Sequence, residues 1–494
     1  MRSELRAWPL SRKKNALDQA LLEMVEHLRP AFEDKRVFER FRRLVFGMLT
    51  AEDRRTITAM LEASGKSQCD WSADYRVFSR DVWKPADVFA CLFPSILALQ
   101  TSGNRIVASL DDTNVRKTGT HIPGVAYRRD PMSPPFRVNF IRAQRFVQTS
   151  MVVPFAPGAA AARAIPVGFD HAPSAGKLRK DASEVEKSQH REAERQHALT
   201  TYGNAAIKRL RLTLDASGAS KIRLLMAVDG SYTNQRVLKD LPERTDLIGR
   251  IRKDAVLHHL PPSTVNRGRR PSYGIELTPE QVRQDESIPW KSIRIFGTGR
   301  VHDCDIKEVT PLLWRKTGAR QQLRLIIIRP LAYRRSKQSR LLYRQPAYLI
   351  TTDLDSSIEE LVQAYFWRWD IEVNHRDEKQ LIGVGDAQVR SPQSAERVPA
   401  FAVACYSMLL IAAAKAFGVA ATDSVVDQPK WATGSSRKPI RLSTRQLLRR
   451  LKEERIDAPL DLPNFDHFAS HVARSMKLPK CSVSLDRALH HAFN

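Results

Sequence analysis

A chain of 494 residues, 42% of them apolar and 27% charged, has the composition of a folded soluble protein and excludes a disordered or fibrous one. Its length suggests roughly two to four domains. Lysine and arginine outnumber aspartate and glutamate by 80 to 54, a formal charge of +26 spread along the sequence, which points to a polyanionic partner contacted through phosphates.

Residues 1–100 read as a helical domain of the kind that docks on DNA. In "LDQALLEMVEHL", "RVFERFRRLVFGML" and "AEDRRTITAMLEAS" apolar positions recur every three or four residues, with basic residues between them. The opening "MRSELRAWPLSRKKNALDQ" lacks an apolar run of signal-peptide length, so a cytoplasmic protein is expected. From residue 101 to 255 the pattern is α/β. Three strands, "NRIVASLDDT", "RFVQTSMVVPF" and "ARAIPVGFD", precede a charged helical segment, the buried strand "IRLLMAVDG", and a short helix and further strand ending in "TDLIGRIRKDA".

Residues 256–345 alternate short strands with Pro- and Arg-rich turns and read as a mostly β insertion. Residues 346–422 return to the core with the strand "PAYLITTD" and one long helix from about Ser356 through "YFWRWDIEVNHRDEKQ". The apolar run Ala400–Ala421 contains Lys415 and many small residues, which suits a buried core helix rather than a membrane span. Residues 423–494 form a basic linker and a helical C-terminal region, where Ser443 and Gln446 make a capping box. The five cysteines, Cys69, Cys91, Cys304, Cys405 and Cys481, are scattered, and neither a disulfide framework nor a structural zinc site is expected.

Two strands end in carboxylates, at Asp111–Asp112 and at Asp229. Aspartate at a strand end commonly starts a turn. Joined to a helical glutamate, however, such residues could hold a pair of Mg²⁺ ions for phosphoryl transfer. On one continuous helix Tyr365, Arg368, Glu372 and Lys379 fall at roughly 0°, −60°, −20° and −40°, a single polar stripe, with Phe366 and Trp369 on a flank that can pack. The alternative is an ordinary helix of i,i+4 ion pairs. "HDCD", His302 to Asp305, has metal-ligand residue types but reads as a loop of the insertion.

The order Tyr365, Arg368, Glu372, Lys379 resembles the YREK signature of bacterial insertion-sequence transposases with a DDE catalytic core, and Trp369, Ile371 and His375 match the residues around it in hairpin-forming members. "LDDTNVRKTG" and "VDGSY" resemble the two upstream aspartate motifs, so the likeness spans about residues 100 to 400. It implies an RNase H-like fold, a mixed sheet flanked by helices and interrupted by the β insertion. It also implies a catalytic, metal-binding triad of Asp112, Asp229 and Glu372 on two Mg²⁺ ions, for which Mn²⁺ can substitute. Asp112 is preferred to Asp111 because the family motif is an Asp-Thr pair; strand alternation leaves the choice open. Tyr365, Arg368 and Lys379 would hold DNA, and Trp314 or Trp290 of the insertion would stabilise a flipped base. The implied partners are double-stranded DNA, as terminal inverted repeats and target, and a second copy of the chain on that DNA, with no membrane. A transposase-derived DNA-binding protein without activity, or a nuclease of the same fold without strand transfer, are the rival readings.

Overall fold

The computed structural model describes residues 15–456 except 67–69, 101–102, 104, 135, 263–270, 319–320, 335–337 and 421–440. The start of the chain, Cys69, Cys481, the linker and most of the C-terminal region lie outside the described residues.

The molecule is organised around strands whose apolar runs are buried on both faces, as parallel central strands require. In chain order β1 (Arg105–Arg116), β2 (Ala126–Arg129), β3 (Phe140–Pro154), β4 (Ala162–His171), β5 (Arg223–Val228) and β6 (Thr245–Arg250) form the core. β1 pairs antiparallel with β3 and parallel with β5, β5 runs parallel to β6, and β3 carries both β4 and β2 on its outer edge. This arrangement, with helices on both faces, is the mixed sheet of an RNase H-like fold. The sequence reading missed β2, whose four residues carry no alternating pattern.

The insertion supplies β7 (Leu257–His259), β8 (Glu276–Leu277), β9 (Lys291–Gly297), β10 (Arg300–Leu313), β11 (Gln322–Ile328), β12 (Ala332–Tyr333) and β13 (Leu342–Tyr343), followed by β14 (Ala347–Thr351). Because β14 pairs antiparallel with both β6 and β11, the insertion extends the central sheet, which among the described residues has twelve strands, with β12 and β13 pairing apart from it. His302 to Asp305 lie within β10, so the loop reading there is corrected to strand. His302 Nε2 is 2.9 Å from the Gly297 carbonyl.

Helices α1 (Ala16–Glu26), α2 (Lys35–Thr50), α3 (Ile57–Ala63), α4 (Ser72–Ser79) and α5 (Pro85–Leu97) precede the sheet. α6 (Glu184–Gln196), α7 (Leu199–Leu214), α8 (Gln235–Lys239) and α9 (Pro279–Gln284) connect its strands. α10 (Ile358–Trp367), α11 (Asp370–Gln380), α12 (Pro392–Phe417) and α13 (Thr444–Ile456) follow it. α12 is the one described helix long and apolar enough to cross a bilayer, but most of that stretch is buried inside the protein. α1, α2, α4 and α5 pack around it, and its Phe401 meets Phe41 and Phe78 edge to face, joining helices and sheet in one apolar cluster. Ser443 and Gln446 form the expected reciprocal cap of α13.

The single helix expected from Ser356 onward is two. At the junction the amides of Arg368, Trp369, Ile371 and Glu372 donate to carbonyls three residues back, the tighter 3₁₀ spacing. Tertiary anchors on either side explain the break. Trp367 Nε1 donates to the Ala160 carbonyl at 2.8 Å, and Asp370 opens α11 clamped by both terminal nitrogens of Arg441 at 2.5 and 3.0 Å. Further back, Gln363 bonds both the amide and the carbonyl of Phe296, docking α10 on strand β9.

Candidate functional site

The parallel register of β1 and β5 sets the site. Leu110 is level with Val228, so the next residues, Asp111 and Asp229, stand side by side just past the point where the parallel pairing of β1 with β5 ends. Asp229 also starts a turn: its carboxylate accepts from the Ser231 amide at 2.9 Å, and its carbonyl accepts from the Thr233 hydroxyl. That turn lies against β6 at Gly249, where any Cβ would collide with the Thr233 hydroxyl, so the close approach requires glycine.

Successive strand side chains face opposite sides of a sheet, and here that divides Asp111 from Asp112. Asp111 is level with Gln148 on β3. Two residues along, Ser150 on β3 receives a hydrogen bond from Asn374 on α11. The Asp111 side of β1 is therefore the side covered by α11. Asp112 is level with Val147 and shares the other side with Arg145 and Leu110, where α7 and Tyr232 pack. Its electrostatic neighbours are Arg145 and Arg128 as well as Asp229. The structure places Asp111 in one cleft with Asp229 and Glu372, and the expected Asp112 on the other side of β1.

Asp111, Asp229, Arg368, Trp369 and Glu372 line one cleft of about 1720 Å³. Arg368 sits between two of the carboxylates, its guanidinium nitrogens 3.8 Å from Asp111 and 3.3 Å from Glu372. The Tyr365 ring backs it at 5.6 Å. Burial pushes the Asp111 carboxyl up to about 7; Asp229 adds to the shift and Arg368 opposes it. Burial likewise raises Glu372, and Arg368 opposes that too. Crowded carboxylates only partly answered by one arginine have the donor chemistry of a hard divalent cation site. Among the described residues, no three Asp, Glu, His or Cys side chains are already gathered closely enough to hold one ion.

The stripe expected on the helix is divided by the 3₁₀ junction. Arg368 and Glu372 reach the cleft, Tyr365 stands behind Arg368, and Lys379 is exposed outside it, though near enough for Asp111 and Asp112 to act on its charge. Trp369, expected to anchor the helix, is 58% exposed at the cleft, because the tight turn rotates it away from the sheet. Phe366 and Trp367 pack against the core instead. Trp314 lines the same cleft but is only 7% exposed, its ring held in the core and under the Lys316 ammonium. Trp290 is flanked by Lys307 and Arg329 and does not line the cleft.

Sequence reasoning missed the basic wall of the cleft. Arg250 ends β6 and Lys253 follows it in "RIRKD", and Arg315 and Lys316 follow β10 in "WRK". Of these, Arg250, Lys253 and Lys316 have no ion-pair partner among the described residues, unlike Arg315, which meets Glu276 at 3.2 Å. The signal was present as cations clustered just past strand ends, where loops carry function. It also missed Glu378 on α11, which is fully enclosed near Gln148; burial pushes its carboxyl up to about 8.

A family model described as DDE superfamily endonuclease matches residues 27–319. The matched region contains both aspartate strands and most of the insertion but ends before α10 and α11, so Glu372 rests on geometry. No curated protein matches the chain.

Proposed function

The chain belongs to the DDE superfamily of endonucleases, and from that premise we propose that it is the cytoplasmic transposase of a bacterial insertion sequence, of the YREK class. It binds the terminal inverted repeats of its element, cleaves at the ends, and joins the freed 3′ hydroxyls to target DNA, acting as a homodimer on the paired ends. The observation that carries this reading is that Asp111, Asp229 and Glu372 line one cleft with Arg368, which contacts the first and last of them, and with the cations Arg250, Lys253 and Lys316.

Asp111, Asp229 and Glu372 would hold Mg²⁺, or Mn²⁺ in its place, which when bound supplies an activated water and stabilises charge on a leaving oxygen. The remaining work falls to the chain itself. Arg368 neutralises charge growing on the scissile phosphate, a role suited to its fixed fork of donors and to the support of Tyr365 behind it. Arg250, Lys253 and Lys316 contact phosphates along the cleft, and Lys379 extends that contact outside it. In cleavage, water attacks phosphorus and a 3′ hydroxyl leaves. In joining, that hydroxyl attacks a target phosphodiester and displaces a target 3′ oxygen, so one bond forms for each broken. Helices α1 to α5 serve as the DNA-end-binding region.

Glu372→Gln should bind a duplex carrying the terminal repeat with nearly unchanged affinity and lose Mg²⁺-dependent cleavage; surviving cleavage would remove Glu372 from the site. Integration of a precut end into plasmid DNA separates this reading from a nuclease without strand transfer.

A further inference from the structure

The largest concentration of exposed apolar side chains lies away from the cleft, in the hairpin of β2 and β3. Tyr127 is 72% exposed, Met132 86% and Phe136 90%, with Val138 and Phe140 also exposed. Arg129 is level with Phe140 and Tyr127 with Arg142, so these four side chains share one face. Arg142 lies over the Tyr127 ring at 5.8 Å, and Arg137 adds a cation at the tip. The guanidinium groups of Arg129 and Arg137 have no partner among the described residues. The only acid of the hairpin, Asp130, is buried and bonded to Arg116 at 2.8 Å.

The hairpin also projects in a telling direction. Val147 of β3 is level with Asp112; from there back to Phe140 the strand advances seven residues, about 23 Å, past the end of the sheet that carries Asp111 and Asp229. Exposed rings interleaved with unpaired cations suit nucleic acid, where bases stack on rings and phosphates meet arginine. A second copy of the chain docking here face to face would bring like charges together, with no exposed acid in the hairpin to answer them.

We propose that this wing, residues 126–134 and 136–142, is a second DNA-binding surface that holds unpaired bases about 23 Å along the sheet from the cleavage site by stacking on Tyr127, Phe136 and Phe140, while Arg129 and Arg137 take the flanking phosphates. The proposal rests on DNA as the substrate. The test uses the full chain without Mg²⁺ and a single-stranded oligonucleotide, compared with its duplex, followed by fluorescence anisotropy. The double variant Phe136→Ala, Phe140→Ala should lose about 10- to 100-fold in single-strand affinity, and much less for the duplex. Arg129→Ala with Arg137→Ala should weaken both and lower the salt slope by about one per arginine. Unchanged single-strand binding by the alanine pair would overturn the wing. A photo-crosslinking amino acid at position 136 gives an independent check: adducts to the oligonucleotide support the proposal, whereas adducts only to a second chain, or none, overturn it. A protein that nicks DNA but passes no crosslink fails the wing alone, and one that crosslinks but never nicks fails only the catalytic reading.

Discussion

Asp111 and Asp112 are neighbours in the chain and opposites in the fold. Asp111 faces α11, Arg368 and the cleft, and Asp112 faces α7, Arg145 and Tyr232. One residue of strand is half a pleat, and half a pleat here separates a group 3.8 Å from the Arg368 guanidinium from one held among arginines on the other side of the sheet. Motif likeness selects the residue type and the neighbourhood; the side of the sheet selects the atom that reaches the cleft.

The comparison can be broken first at Arg368. Arg368→Ala leaves Asp111 and Glu372 without their guanidinium, and should cost roughly 3–5 kcal/mol of stability at pH 8. The loss should shrink as the carboxylates protonate toward pH 4, read by thermal or urea denaturation at both values.

A smaller effect of opposite sign is expected at Asp111 itself. Its folded pKa is raised, from the ordinary 3.8 to about 7. The stability tied to its protonated form is therefore full below about pH 4 and lost as pH rises through 7. Asp111→Asn should stabilise the protein at pH 8 by roughly 1–3 kcal/mol and add nothing at pH 4. A gain of equal size at both values would mean that the cause is packing, not charge.

The smallest contrast lies on the helix pair. Trp367→Ala removes a half-buried ring and the bond to the Ala160 carbonyl and should cost roughly 2 kcal/mol or more, whereas Trp369→Ala should change stability by less than about 0.5 kcal/mol. Equal losses would restore Trp369 as an anchor.

Much of this was legible in the sequence. The strands that became β1, β3, β4, β5, β11 and β14 are apolar runs bounded by turn residues, and α12 betrayed itself as a core helix by its small residues. Within Tyr365–Gln380, Arg368 and Glu372 line the cleft. What stayed hidden has physical reasons. β1 is buried or half-buried on both faces from Ile106 to Leu110, so its pattern carries no clear alternation from which the side of Asp111 could be read. The break at Arg368–Trp369 depends on Ala160 and Arg441, partners distant in sequence that no helical period can reveal. β2 is short and its one aromatic residue, Tyr127, points outward, the reverse of the signal that marks a strand.

The central claim is tested most directly by one side-by-side measurement: Mg²⁺-dependent nicking of a supercoiled plasmid carrying the element's terminal repeats, by Asp111→Asn and by Asp112→Asn. The geometry predicts that Asp111→Asn loses activity by about 10³-fold or more, as expected when a metal-holding carboxylate worth several kcal/mol is removed. Asp112→Asn should stay within about 10-fold of the unaltered protein. Loss confined to Asp112→Asn, with Asp111→Asn still cutting, would contradict the account and return the site to the other side of the sheet.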